Sequence, residues 1–333
     1  MLKGKSTFIF ENNPVILSSS AVGGPFEGKS RLKDDFDFIF DDLWMGENSF
    51  EKAEKRLLEK ASDITLNKAG IKKEQINFFI SGDLLNQIIT SSFAARTLGI
   101  PYIGIFGACS SSMEALALAS LLINSGNADY VLAGASSHNT AAEKQFRYPT
   151  EYGGQKPPTA QWTVTGSGVA LISKQGNGPK VTSATIGKVV DLGISDPFNM
   201  GAAMAPAAVD TIQTHFTETE RPLDYYDLIV TGDLGKVGYD IAKDLFNQKS
   251  FNLPLERYFD CGLLIYNDDQ QVFSGGSGCA CSATVTFGHL MNEMKSGKLK
   301  KILVVATGAL MSPMSYMQKE SIPSIANAVS IEM

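Results

Sequence analysis

The sequence predicts an α/β protein made of two duplicated halves and stacked as a five-layer αβαβα sandwich. Three observations carry this: short motifs recur in the same order, strand-like runs alternate with helix-like ones, and one helix in each copy is apolar on every face. Asn77-Phe-Phe-Ile-Ser-Gly-Asp-Leu84 returns as Asp227-Leu-Ile-Val-Thr-Gly-Asp-Leu234, so Gly82 maps to Gly232 at an offset of 150 (232 − 82). GACSSS around Cys109 returns as GCACSA around Cys281, an offset of 172 (281 − 109). Each is followed by a helical stretch, a glycine (Gly126, Gly297) and an apolar strand (Tyr130–Gly134, Lys301–Ala306). Strand, helix, strand, helix, strand in both copies implies crossover connections and mostly parallel sheets. The halves divide as residues 1–175 and 176–333.

In chain order, the charge-rich stretch Glu51–Ala69 reads as an outer helix, and Asn77–Leu84 as the first interior strand. After Cys109, residues Met113, Leu116, Ala117, Ser120 and Leu121 fall on one helical face, while Ala115, Leu118, Ala119 and Leu122 fill the others. Glu114 is the only charge before Asp129. After Cys281, the set Phe287, Leu290, Met291 and Met294 repeats the pattern with no formal charge before Glu293. A helix that is apolar all round is buried on all sides. Two such helices, one per copy, make a central layer between two sheets.

Composition bounds the function. Charged residues are 19% of the 333, below the usual ~25%, and hydrophobic residues are 44%, which excludes a disordered chain. The net charge of −6 (29 − 35) argues against nucleic-acid binding, which wants a basic face. Cys109, Cys261, Cys279 and Cys281 read as reduced thiols, and the opening MLKGKSTFIFENNPVIL is too polar for a signal sequence. No run suits a membrane-spanning helix, so a soluble intracellular protein is expected. Cys279-x-Cys281 with Cys261 lacks paired C-x-x-C spacing, and no glycine-rich phosphate loop follows a strand. No metal and no cofactor are expected.

Several stretches carry a family resemblance. Ser92–Ser136 resembles the nucleophile region of thiolases and ketoacyl synthases, where an apolar strand ends in a Gly/Ala-Cys turn that opens a buried helix. Thr163–Ile172 (TVTGSGVALI) looks like a later ketoacyl synthase strand entry. Asp196-Pro-Phe-Asn-Met-Gly-Ala-Ala-Met-Ala-Pro-Ala207 is similar to the thiolase pattern leading into the second half. Within this thiolase-like superfamily, SSSAVGGPFEGKS, ASSHNTAAEKQFRYPTEYGGQKPPTAQWTVTGSG and GGSGCACSA resemble the stage V sporulation family of spore-forming bacteria.

That resemblance implies a thiolase fold that binds dipicolinic acid (pyridine-2,6-dicarboxylic acid), alone or as its Ca²⁺ chelate. The ligand would be taken up into the developing spore and released in germination. It also implies a peripheral place at the inner spore membrane beside membrane proteins of the same operon. A homodimer through the edge of the first-half sheet is expected on the same ground.

The resemblance places Cys109 at the nucleophile position. A helix N-terminus favours a thiolate and binds anions, so Cys109 reads as a nucleophile or as one wall of an anion pocket; the alternative is a small core residue. Ser110 and Ser111 add hydroxyls there, either as donors or as caps. Condensing enzymes also need a base and oxyanion donors. In ketoacyl synthase III enzymes these are a His after a second-half strand and an Asn or His in the turn opening the second buried helix. Here Thr231–Gly235 holds no histidine, and Cys279 replaces the Asn or His. Losing a base costs 10²–10⁴-fold and an oxyanion donor 10²–10³-fold, so a non-catalytic protein is expected. The alternative is an active thiolase or ketoacyl synthase-type acyltransferase with Cys109 as nucleophile.

Of the histidines, His138 is expected beside the pocket as a donor, His215 at the surface, and His289 satisfied in the core. A dicarboxylate pocket would draw on Cys109, Ser110, Ser111, His138 and the glycine-rich turn with Gly276, Gly278 and Cys279. Asn199 and Met200 would form a wall. Arg147 and Lys156 either attract anions or are ordinary surface. Asp191 and Asp196 are candidates to meet a ligand-borne Ca²⁺, although no loop has metal-site spacing.

Overall fold

The computed structural model describes residues 1–146 and 156–333. The first half supplies β1 (Val15–Gly23), β2 (Phe78–Gly82), β3 (Tyr102–Gly104), β4 (Tyr130–Ser137) and β5 (Gly166–Ser173). The second half supplies β6 (Lys180–Ile186), β7 (Leu228–Thr231), β8 (Tyr258–Asp260), β9 (Lys301–Ala309) and β10 (Ser324–Glu332). Their orders are β1-β5-β4-β2-β3 and β6-β10-β9-β7-β8, the same strand for strand. The two sheets touch through one antiparallel pair, Lys180 opposite Val15.

Each sheet departs from the expected parallel arrangement at one strand. β5 runs antiparallel to β1 and β4, and β10 antiparallel to β6 and β9. The cause is the connection. Ser324 pairs with Ala309, so the chain re-enters the sheet at the end where β9 left it, without the helical crossover that parallel strands need.

The helices that frame the site are α1 (Phe50–Ala69), α2 (Ile89–Leu98), α3 (Ser111–Asn124), α4 (Asn139–Phe146), α5 (Met200–Thr219), α6 (Gly235–Gln248) and α7 (Cys279–Thr284). α1 and α2 cover the outer face of the first sheet, and α5 and α6 that of the second. α1 starts where Ser49 accepts the Lys52 N–H and ends at Gly70, whose φ of 67° suits a residue without a side chain. Its Ala53, Leu57, Leu58 and Ala61 are buried while its lysines and glutamates face out.

α3 and α7 lie between the sheets and touch each other, which makes the five layers. Met113 and Leu116 on α3 and Phe287, Leu290 and Met291 after α7 are buried, as their uninterrupted apolarity requires. The second helix is not regular. α7 passes into a π turn over Val285–Leu290 before closing as α-helix at Met291–Lys295. A short parallel clip, Trp162–Thr163 against Gly276–Ser277, ties the halves together.

Two histidines sit differently from the sequence reading. His215 is not at the surface: α5 presses it against β6, where its ring bonds Thr185 Oγ1 at 2.8 Å and Tyr226 OH at 2.7 Å. His289 is not a core residue; half-exposed at the end of the π turn, it bonds Asp35 at 2.8 Å.

Candidate functional site

Residues 107–110 form a tight turn between the strand end and α3, with Ala108 at a φ of +48° and a 3₁₀ turn over Ala108–Ser110. β9 packs directly on this turn. A Cβ on Gly308 would stand 2.1 Å from the Gly107 carbonyl, so only glycine lets the strand approach so closely. Cys109 sits at the floor of a narrow cleft that also touches Leu84, Phe146, Thr163, Met200, Ser277 and Met311. The cleft has about 30 Å³ free, room for a water or two.

Cys109 and Met200 line this cleft. Ser110 and Ser111 lie beside it but spend their hydroxyls locally, on Gly107 O and Ala108 O, each at 2.7 Å. They therefore act as turn-locking groups rather than free donors. Asn199 precedes α5 without capping it, and its Oδ1 is buried with no hydrogen-bond partner among the described residues. Gly276 belongs to the clip, while Gly278 turns its N–H inward, and the cleft-lining residue of that turn is Ser277 between them.

His138 is a correction. Its side chain bonds the Leu43 carbonyl at 2.9 Å and packs on Phe50 of α1, on the far side of the first sheet. Side chains alternate along a strand, and Ser137, one residue earlier, is the one that faces inward, accepting the Ala280 N–H at 3.1 Å. Asp191 and Asp196 hold turns through the Gly193 and Phe198 N–H groups at 2.8 and 2.9 Å. Arg147 lies outside the described residues. Lys156 lies 2.9 Å from Glu143, which lines the cleft, and over the Trp162 ring. No group of side chains suited to a metal ion exists among the described residues.

The residue that sequence reasoning missed is Asp233. It stands within Thr231–Gly235, where a histidine was sought, and it is buried. Thr307 donates to its Oδ1 at 2.7 Å; Ser277 and the Gly278 N–H donate to Oδ2 at 3.1 and 3.0 Å. Its signal in the sequence is the repeated Gly-Asp-Leu motif, which puts an acid at the end of the second-half strand.

Cys279 likewise is no surrogate donor for the cleft: its thiol is spent on Ala108 O at 3.0 Å. Electrostatics at the helix end reverse the expected thiolate. Burial first, then the Asp233 carboxylate, push the Cys109 thiol well above the ordinary cysteine range. Burial raises the Asp233 carboxyl as well, against the pull of Thr307, Cys109 and Gly278.

Comparison with solved structures places the fold. 3-oxoacyl-[acyl-carrier-protein] synthase III from Aquifex aeolicus covers 96% of this chain and 100% of its own, with 15% identity and a TM-score of 0.59. A variant of OleA from Xanthomonas campestris covers 100% of both chains, with 13% identity and a TM-score of 0.64. In sequence, Stage V sporulation protein AD of Bacillus subtilis is 51% identical over 331 residues, covering 99% of this chain and 98% of that protein. The family described as Stage V sporulation protein AD matches residues 4–332. With the thiolase-like fold and the sequence in agreement over almost its whole length, this chain belongs to the stage V sporulation protein AD family.

Proposed function

We propose that this protein is a non-catalytic member of a fold otherwise used for acyl condensation, and that the cleft at Cys109 binds dipicolinic acid or its Ca²⁺ chelate. The binding serves uptake into the developing spore and release in germination. The protein acts at the inner spore membrane beside membrane proteins of its operon, as a homodimer. One observation supports the loss of chemistry above others: Thr231–Gly235, the segment where the resemblance puts a condensing enzyme's imidazole, holds the buried Asp233 and no histidine. The binding site remains as a cleft floored by a thiol, with the hydroxyl-bearing Thr163 and Ser277 on its wall and the Lys156–Glu143 pair beside it.

A planar dicarboxylate needs more room than a water or two. Met200, Met311 and Phe146 form much of the wall, and unbranched methionines repack at small cost. Binding therefore opens the slot between them.

Calorimetric titration with dipicolinate, with and without Ca²⁺, tests the reading. Saturable heat with dipicolinate and none with pyridine-3,5-dicarboxylate is expected; no saturable heat with either refutes it. A second reading, an acyltransferase, rests on the cysteine at the nucleophile position. An acyl adduct on Cys109 formed from acyl-CoA, found by mass spectrometry together with turnover, would establish it.

A further inference from the structure

We propose that the cavity between α1 and α2, on the outer side of the first sheet, binds a small free amphipathic anion: a carboxylate or phosphate head carried on a short apolar body. This cavity shares no residue with the Cys109 cleft.

Four observations carry the inference. The first is room. The cavity holds about 600 Å³, within the ~300–1,000 Å³ of small-molecule sites, against about 30 Å³ beside Cys109.

The second is charge. α1 brings Lys52 and Lys55 to the lining, and α2 brings Arg96. The two carboxylates of the lining pair with cations outside it, Glu51 with Lys144 at 2.9 Å and Glu47 with Arg56 at 4.0 Å. Lys55 is paired with Glu59 at 3.3 Å. Lys52 donates to the neutral Asn48 at 2.8 Å, and the Arg96 guanidinium lies over the Phe93 ring, 4.4 Å from its centroid. Neither of these two meets a carboxylate among the described residues. Both keep donors to spend on an anionic head.

The third is a buried group with nothing to bond. Thr90 lines the cavity at 2% exposure, and its hydroxyl has no hydrogen-bond partner among the described residues. Buried polar groups are nearly always satisfied, so an orphan hydroxyl on a cavity wall marks a place for a ligand oxygen.

The fourth is apolar surface left open beside the charges. Ile89 and Phe93, 40% and 39% exposed, stand one turn apart on α2 and line the same cavity. Their helix starts from two left-handed residues, Gln87 at a φ of +52° and Ile88 at +47°, and a β-branched side chain holds that conformation only at a cost. A purely ionic ligand would have no use for Ile89 and Phe93, and a neutral apolar one none for Lys52 and Arg96.

The test uses 1-anilinonaphthalene-8-sulfonate, an aromatic anion whose fluorescence rises on binding, titrated into the folded protein. One saturable site is expected, cleared by hexanoate and by hexyl phosphate and not by hexylammonium, which keeps the apolar body and reverses the charge. Lys52→Glu with Arg96→Glu should weaken the probe at least about tenfold, and Thr90→Val about threefold or more. Lys188→Glu with Lys249→Glu makes the same charge change on exposed second-half lysines and should stay within about twofold of wild type. An unchanged affinity in the Lys52/Arg96 or the Thr90 variant overturns the proposal, as does hexylammonium competing as well as hexanoate. Phosphatidylglycerol vesicles separate the two sources of such a head: displacement by vesicles and not by hexanoate or hexyl phosphate would mean a lipid surface and overturn the free ligand.

Discussion

Asp83 and Asp233 occupy the same place in the repeated Gly-Asp-Leu motif, at the ends of β2 and β7, yet they do different work. Asp83 turns to its own helix: its oxygens accept the Leu85 N–H at 2.9 Å and the Ser91 N–H at 2.7 Å, which seats α2. Asp233 turns inward, to Thr307 on β9 and to Ser277 and the Gly278 N–H before α7. The strand registers show what frees it. Ser81 on β2 pairs with Gly104 on β3, and Thr231 on β7 pairs with Asp260 on β8, so Asp260 stands where the first half has a glycine. Asp260 accepts the Leu234 and Gly235 N–H groups at 2.8 and 3.1 Å and takes over the seating of α6. A duplicated fold can hand the structural task of one copy to a new side chain and release the old one for the site.

The sharpest way to break this division of labour is to remove the substitute. Asp260→Ala strands two buried N–H groups, each costing about 1–3 kcal/mol, so urea unfolding should show a loss of about 4 kcal/mol. Asp233→Asn keeps an acceptor for most of its partners and should cost about 1 kcal/mol. Equal losses would mean that Asp233 is structural too.

A smaller effect sharpens the same contrast through pH. Burial pushes Asp260 up to about 7 and Asp83 up to about 6. A carboxyl whose folded value is raised favours the fold while it is protonated. Its contribution is therefore complete below about pH 4 and is lost as pH rises through about 7 for Asp260 and about 6 for Asp83. At 1.36 kcal/mol per unit, the ceilings are about 4 and about 3 kcal/mol. Wild-type stability minus that of Asp260→Asn, measured from pH 4 to 8, should fall across this window, and the Asp83→Asn difference should level off about one unit earlier. A flat difference for Asp260→Asn would show a carboxylate already ionised at the low end.

Much of this arrangement was legible in the residues. The twofold motif, the two charge-free helices and the cysteine turn all follow from apolar patterning, which folding obeys because burying charge is expensive. What escaped the sequence depends on direction. His138 and Ser137 are neighbours on β4, and which of them faces the cleft depends on a register that spacing alone did not fix. A Gly-Asp pair reads the same whether it seats its own helix, as Asp83 does, or reaches Thr307 and Gly278, as Asp233 does. The antiparallel β5 and β10 depend on where a loop re-enters the sheet. The π turn depends on one extra residue that apolar spacing tolerates.

That turn is the second place where the copies differ, and it carries the smallest test. α3 is a regular helix, and Ser120 on it bonds the Leu116 carbonyl at 2.7 Å, one turn back. Its partner helix makes a π turn instead, and the Ser19 hydroxyl of β1 reaches across to the Phe287 carbonyl at 2.7 Å. The first serine decorates a ladder that stands without it; the second supports a wide turn from outside the helix. Ser120→Ala should therefore stay within about 0.5 kcal/mol of wild type, while Ser19→Ala, which leaves a buried carbonyl short of a donor, should cost about 1–2 kcal/mol. Native-state hydrogen exchange adds the location: amides of 285–290 should lose protection in Ser19→Ala and keep it in Ser120→Ala. If both variants behave alike, the π turn is held by the helix itself, and the strand beneath it is only a neighbour.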